Sequence, residues 1–255
     1  MYQEERLLKI LEYLNYANRI SVQEICKMFS ISRDTARRDI VRLVEEGTVS
    51  RTHGGITLPG LSDTIHNYRE RREAHHGEKK AIAEKALMLI NESEHYFFDV
   101  STTISYLCEI LNKKVTVFTH SLDNIEILSG KAEVSVHSIG GNLNKTNRFF
   151  YSLNCENSLA GIHFDTAFLG AAAIMEDGIY YSEYEDAFIK QIAVKQTNKV
   201  ILLADFDKYG KNAYYRGLNW DQIDIIITDR VPPALYMDII NKYFIKLIII
   251  ENELI

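Results

Sequence analysis

Residues 21–47 read SVQEICKMFSISRDTARRDIVRLVEEG, and the reading of this stretch governs the rest of the chain. Val22, Ile25, Cys26 and Phe29 recur at helical spacing, which predicts a short amphipathic helix over 21–29 with Ser21 as its N-cap. Ile31 falls at a buried turn. A second helix is predicted from Ser32, whose hydroxyl can accept hydrogen bonds from backbone N–H groups two and three residues on. Ala36, Ile40, Leu43 and Val44 make its apolar stripe, and Gly47 fits its C-terminal stop. Arg33, Thr35, Arg37 and Arg38 are left on or beside the outward face of the first turns. There a recognition helix presents side chains to base edges and phosphates. Arginine suits both tasks, because its fork pairs two acceptors of guanine or grips a phosphate.

A basic helical face alone is more often a solvated surface. The surroundings favour DNA. An amphipathic helix carrying Leu7, Leu8, Ile10, Leu11 and Leu14 precedes the pair, and a wing-like hairpin, TVSRTHGGIT over 48–57, follows it. Gly54 and Gly55 can supply the positive φ of a tight turn. Arg51 and His53 would then hang near the DNA backbone. The candidate DNA-binding set is Ser32, Arg33, Thr35, Arg37, Arg38, Arg51 and His53.

Residues 37–56, RRDIVRLVEEGTVSRTHGGI, resemble the DNA-binding end of the DeoR family of bacterial sugar-operon regulators, whose pattern runs RRDLxxLxxxGxLxRxHGG. The likeness covers about the first 58 residues. It implies a winged helix-turn-helix over 3–58, with Arg37 and Arg38 on the recognition helix and Arg51, His53, Gly54 and Gly55 in the wing.

The chain has 255 residues, 46% of them hydrophobic, enough for a full core and a small satellite domain. No run of about 18 apolar residues is present, and MYQEERLLKI lacks the apolar segment of a signal peptide. The expected location is cytoplasmic, with no membrane partner. Cys26, Cys108 and Cys155 are widely spaced, which suits reduced, buried thiols. His75 and His76 are adjacent, and helix neighbours do not face each other, so they read as solvated linker residues rather than metal ligands.

The net charge of −6 is unevenly divided. Residues 1–59 hold 9 Lys and Arg against 8 Asp and Glu, and the remainder 20 against 27. An acidic body is repelled by the duplex, so contact should be confined to the first domain and weaken with salt. A net of +1 also makes a single copy a weak binder. A homo-oligomer, dimer or tetramer, on a paired site is the expected remedy.

Pro59-Gly60 and the charged run YRERREAHHGEKK mark a linker over 59–77. From residue 78 short apolar strands alternate with helices, which predicts an α/β domain with a mainly parallel sheet covered on both faces. The strands are HYFFDV, VTVFT, VSVHSI, FDTAFLG, KVILLA, IDIIIT and KLIII. In such sheets ligands bind where strands end. The first strand ends in Asp99-Val-Ser101-Thr102-Thr103, whose hydroxyls and free N–H groups would cradle a phosphate at a helix start. Plain N-capping by Ser101 or Thr102 is equally compatible with the spacing. The second strand ends in Thr119-His120-Ser121 and the third in Gly140-Gly141. After KVILL, Asp205 could accept from sugar hydroxyls and Lys208 could meet a phosphate. Glu183 and Glu185 read as capping residues of the following helix.

The resemblance continues from about residue 75 onward. The family's DxGTT, TNS, GG, GADGI and LADxSK signatures stand here as Asp99-Val-Ser-Thr-Thr, Thr119-His-Ser, Gly140-Gly141, Gly170-Ala-Ala-Ala-Ile174 and Leu203-Ala-Asp-Phe-Asp-Lys208. Ser101 replaces a glycine, His120 an asparagine and Ala172 an acidic residue. The family's sensor domain is similar to ribose-5-phosphate isomerase and the CoA-transferase fold. The resemblance therefore implies a transcriptional repressor governed by a phosphorylated sugar bound at Asp99, Ser101, Thr102, Thr103, His120, Gly140, Gly141, Asp205 and Lys208, with no other cofactor. The competing expectation is a sugar-phosphate isomerase or transferase with Asp205 and Lys208 as its acid–base pair. A third is an adaptor that uses the winged helix for protein contact.

Overall fold

The computed structural model describes residues 3–17, 19–45, 49–52, 54–57, 74–152 and 154–250. The chain divides into two compact units, 1–66 and 67–255. This division and the proposed 59–77 linker both fall largely outside the described residues, as do His53 and Gly47.

The first unit runs α1 (Gln3–Ala17), β1 (Arg19–Ser21), α2 (Val22–Phe29), α3 (Arg33–Glu45), β2 (Ser50–Thr52) and β3 (Gly55–Thr57). Ser21 closes a capping box: its hydroxyl accepts from Glu24 N–H, and the Glu24 carboxylate accepts from Ser21 N–H at 2.8 Å. These bonds satisfy two donors that a helix start otherwise leaves orphaned. α2 ends on Ser30 in the left-handed region, and Ser32 starts α3 by accepting from Thr35 N–H. Leu7, Ile10, Leu14, Ile25, Ala36, Ile40 and Leu43 bury the facing stripes, joined by Ile20 from β1 and by Val49 and Ile56 from the wing. The three short strands pair antiparallel in the order β1-β3-β2. Gly54 takes φ +100 at the wing turn, whereas Gly55 lies within β3.

The second unit is built on seven strands: β4 (His95–Phe98), β5 (Val115–Thr119), β6 (Val134–Ser138), β9 (Phe164–Leu169), β12 (Thr197–Leu203), β14 (Ile225–Thr228) and β15 (Lys246–Ile249). Their order is β15-β14-β12-β9-β4-β5-β6, and every pair is parallel. Successive residues on a strand point to opposite faces, so Tyr96 and Phe98 enter one core and Phe97 the other. The first core holds Ile82, Ile104 and Leu107 from α4 (His76–Leu87) and α5 (Thr102–Ile110). The second holds Ile189, Ala193 and Ile240 from α8 (Tyr184–Lys195) and α9 (Ala234–Lys242). Burial on both faces explains why these strands are continuous apolar runs. Two further α-helices among the described residues are α6 (Leu122–Ser129) and α7 (Cys155–Leu159).

Two further sheets were not legible in the strand pattern. β7 (Asn142–Asn144) and β8 (Phe149–Tyr151) form a hairpin. β10 (Ala173–Met175), β11 (Gly178–Tyr181) and β13 (Tyr215–Leu218) form a small antiparallel sheet. His75 and His76 are exposed, as expected, but His76 opens a helix and both side chains have partners. His75 Nε2 lies 2.9 Å from Asp207 and His76 Nδ1 2.6 Å from the Tyr106 hydroxyl, because α4 begins earlier than its apolar spacing suggests. Cys26, Cys108 and Cys155 are free thiols, the last two buried.

Candidate functional site

In the first unit, burial sorts α3 into two faces. Ala36, Asp39, Ile40 and Leu43 are buried; Arg33, Arg37 and Arg38 are exposed, with Thr35 half-buried between them. Ser32 is exposed, and its hydroxyl, besides capping, lies 2.9 Å from that of Thr35. Arg51 is exposed on β2 of the wing. Among the described residues the exposed arginines of α3 and the wing are therefore free to meet an anionic surface.

In the second unit the order β12-β9-β4-β5-β6 sets five strand ends side by side, because parallel strands share one carboxyl edge. Those ends carry Asp205, Gly170, Asp99 to Thr103, His120 and Gly140-Gly141. Oδ2 of Asp99 accepts from Gly170 N–H at 2.8 Å and lies 3.1 Å from the Lys190 ammonium. Lys190 also donates to Asp186 Oδ2 at 2.7 Å, and its ammonium sits 3.6 Å from the centre of the Tyr181 ring. The other oxygen of Asp186 is 2.8 Å from His120 Nε2. The Tyr181 hydroxyl donates to Gly170 O at 2.9 Å. Asp99, His120, Asp186 and Lys190 are all buried.

Burial pushes the Asp99 carboxyl up, against the pull of Lys190. Burial acts on Asp186 in the same direction, but Lys190 and His120 together outweigh it and hold that carboxyl below its ordinary value. One cation thus serves two carboxylates of opposite tendency. The His120 ring is stacked on Phe97 at 5.7 Å and meets Phe149 of the β7–β8 hairpin edge-on at 5.9 Å. Oδ1 of Asp99 and Nδ1 of His120 have no hydrogen-bond partner among the described residues.

The remaining sequence candidates lie around this cluster. Ser101 is the N-cap residue of α5, yet its hydroxyl makes no capping bond. It packs against Gly170, where an added Cβ would come within 2.4 Å of Ser101 Oγ. Thr102 is half-buried in the first turn and Thr103 is buried. Gly140 and Gly141 take φ +69 and +109, and a Cβ on Gly141 would meet Tyr151 O at 2.3 Å. In this structure Gly141 thus permits closure of the β7–β8 hairpin. Asp205 is buried, with neither carboxylate oxygen bonded among the described residues, while Lys208 is half-buried in the following turn. Glu183 makes no capping bond; it accepts from Asn147 Nδ2 at 2.9 Å, joining the hairpin to α8. Asp186 and Lys190 escaped the sequence reading because their helix also carries Glu185, Gln191 and Lys195, so its charges read as a solvated face. The i,i+4 spacing of opposite charges was the available signal.

A winged helix-turn-helix joined to a parallel α/β unit with a polar strand-end cluster defines a class of two-unit DNA-binding regulators. Residues 6–60 match the DeoR-like helix-turn-helix domain and residues 74–230 the DeoR C terminal sensor domain. The chain belongs to the DeoR family, and it is a DNA-binding transcriptional regulator of the repressor kind rather than an enzyme. It is 36% identical to the HTH-type transcriptional repressor GlcR of Bacillus subtilis, covering 99% of this chain and 98% of that one. It is 30% identical to the lactose phosphotransferase system repressor of Streptococcus mutans (90% and 93%). It is 26% identical to the glycerol-3-phosphate regulon repressor of Escherichia coli (97% and 99%). Among solved structures, ribose 5-phosphate isomerase A of Methanocaldococcus jannaschii is similar over 53% of this chain and 55% of its own. The identity there is 14% and the TM-score 0.40, too slight a likeness to add to what the sheet topology shows. No helix among the described residues is long and apolar enough to cross a membrane.

Proposed function

We propose that the chain represses an operon of sugar metabolism in the cytoplasm, and that a phosphorylated sugar in the strand-end cluster releases it from its operator. The observation that carries this reading is the pair of unbonded buried atoms, Asp99 Oδ1 and His120 Nδ1, beside the start of α5. A buried polar group without a partner costs about 1–3 kcal/mol, which sugar hydroxyls would offset. The free N–H groups and hydroxyls of Ser101, Thr102 and Thr103 suit the phosphate, with Lys208 as a second cation and Asp205 as a further hydroxyl acceptor. The glycerol-3-phosphate and lactose phosphotransferase repressors among the relatives support a phosphorylated effector by their names. No other cofactor enters the scheme.

Moving a bound-to-released equilibrium from 99:1 to 1:99 needs a preference of about 5.5 kcal/mol. A dianion at a helix start plus several hydroxyl bonds is of that order. The operator would be held by Arg33, Thr35, Arg37 and Arg38 in a major groove, with Ser32, Arg51 and His53 on the backbone. Because residues 1–59 carry a net of only +1, two or more copies on a paired site supply the affinity. Fluorescence anisotropy on DNA upstream of neighbouring sugar genes tests this. Binding should weaken with one of a panel of triose, pentose and hexose phosphates. Binding that ignores every member would overturn the effector reading while leaving DNA binding in place.

A further inference from the structure

Among the described residues the buried face of α3 contains one charged residue, Asp39, which directly follows the exposed Arg37 and Arg38. Nε and Nη2 of Arg6 on α1 donate to its two oxygens, the second at 3.0 Å. Gln3 Nε2 donates to the same Oδ1 at 3.0 Å, and Arg42 of α3 donates back to Gln3 Oε1 at 3.3 Å. Arg6 is 7% exposed and Asp39 0%. The pair spends one of the nine cations of the first 59 residues where DNA cannot reach it.

Stability alone does not account for such a pair. Desolvating both ions offsets most of their attraction, and apolar residues of similar volume often do as well or better. What the pair supplies is direction. A guanidinium fork meets a carboxylate in one plane and one register, whereas the apolar contacts of Leu7, Ile10, Ala36, Ile40 and Leu43 are tolerant of rotation. A slip of one residue turns a helix by about 100°, enough to carry Arg37 and Arg38 off the outward face. We propose that Arg6 and Asp39 are positioning residues that set the rotation of α3 on α1, and through it the sequence discrimination of the DNA-reading arginines. This rests on the reading of α3 as the helix that meets the bases.

The test uses the full chain and two duplexes: one selected by the wild-type chain from a random pool, and a scrambled duplex of equal composition. If the wild type selects nothing, the reading of α3 fails first and separately. Given a selected duplex, R6M/D39L should remain folded by circular dichroism. Its preference for selected over scrambled DNA should fall by roughly tenfold or more, while its grip on scrambled DNA and the salt dependence of that grip stay unchanged. R6K keeps the charge and loses the fork, so it should lose discrimination as well; it decides the matter if the double variant does not fold. Full discrimination in a folded R6M/D39L, or in R6K, overturns the proposal.

Discussion

The ammonium of Lys190 lies 3.1 Å from Oδ2 of Asp99, tying helix α8 to the loop that opens the first sheet strand's carboxyl end. With Asp186 on its other side at 2.7 Å, this is a buried ion triad. Removing one partner of a buried pair leaves a charge uncompensated and costs about 3–5 kcal/mol. Lys190→Met should lose stability of that order in urea denaturation at neutral pH. The pH dependence follows from the same contacts. Asp186, held low by Lys190 and His120 against burial, contributes stability present above the ordinary carboxylate pKa of about 3.9 and lost below it. Without Lys190 both carboxyls should rise, and a raised group loses its stability as pH climbs through its folded pKa. The gap between wild type and variant should therefore narrow toward about pH 4. A gap that widens on acidification would refute the triad.

Thr102→Asp separates effector binding from DNA binding. A carboxylate in the first turn suits the positive end of α5 by about 0.3–1 kcal/mol, so the fold should survive. The same charge repels a phosphate. The stabilisation that an effector gives at a hundredfold excess over its Kd, about 2.7 kcal/mol, should vanish from a thermal-shift assay, with DNA affinity intact. A variant that still responds would remove this loop from the effector site.

Gly141→Ala probes the hairpin that carries Phe149. At φ +109 an L side chain is strained, and its Cβ would sit 2.3 Å from Tyr151 O. A destabilisation of about 1–3 kcal/mol is expected. Calorimetric titration should also show weaker effector binding, because Phe149 packs on the His120 ring from this hairpin. Unchanged binding in a destabilised variant would mean that the hairpin supports the fold alone.

Arg38→Ala should weaken operator binding by about 1–3 kcal/mol and relax preference at one base position. Anisotropy against a set of single-base operator variants reads both. A uniform loss with a salt slope shallower by about one would reassign Arg38 to the phosphate backbone.

Much of this was legible in the residues because the signals were local. The N-cap at Ser21, the apolar stripe of Ala36, Ile40 and Leu43, and doubly buried strands such as VTVFT and IDIIIT each announce themselves within a few positions. The strands missed were three or four residues long, too short to show a period of their own, and one of their pairings is distant. β11 finds β13 across the whole of α8 and β12, with a register shift between Ile179 and Tyr180. Asp186 and Lys190 were hidden because Glu185, Gln191 and Lys195 on the same helix make them read as surface charges, and the partners that bury them come from other strand ends.

The amino-acid order by itself determined the two-domain plan, the winged helix-turn-helix, the parallel sheet and the strand-end loops, because helix caps, apolar periodicity and turn residues act over one or two turns of chain. Tertiary structure alone decided that one lysine is shared between Asp99 and Asp186, that Phe97 and Phe149 clasp the His120 ring, and that Arg6 holds Asp39. Those contacts join residues far apart in sequence. Their geometry is set by which strands become neighbours in the sheet and by how α1 lies on α3, and no local pattern in the chain encodes either.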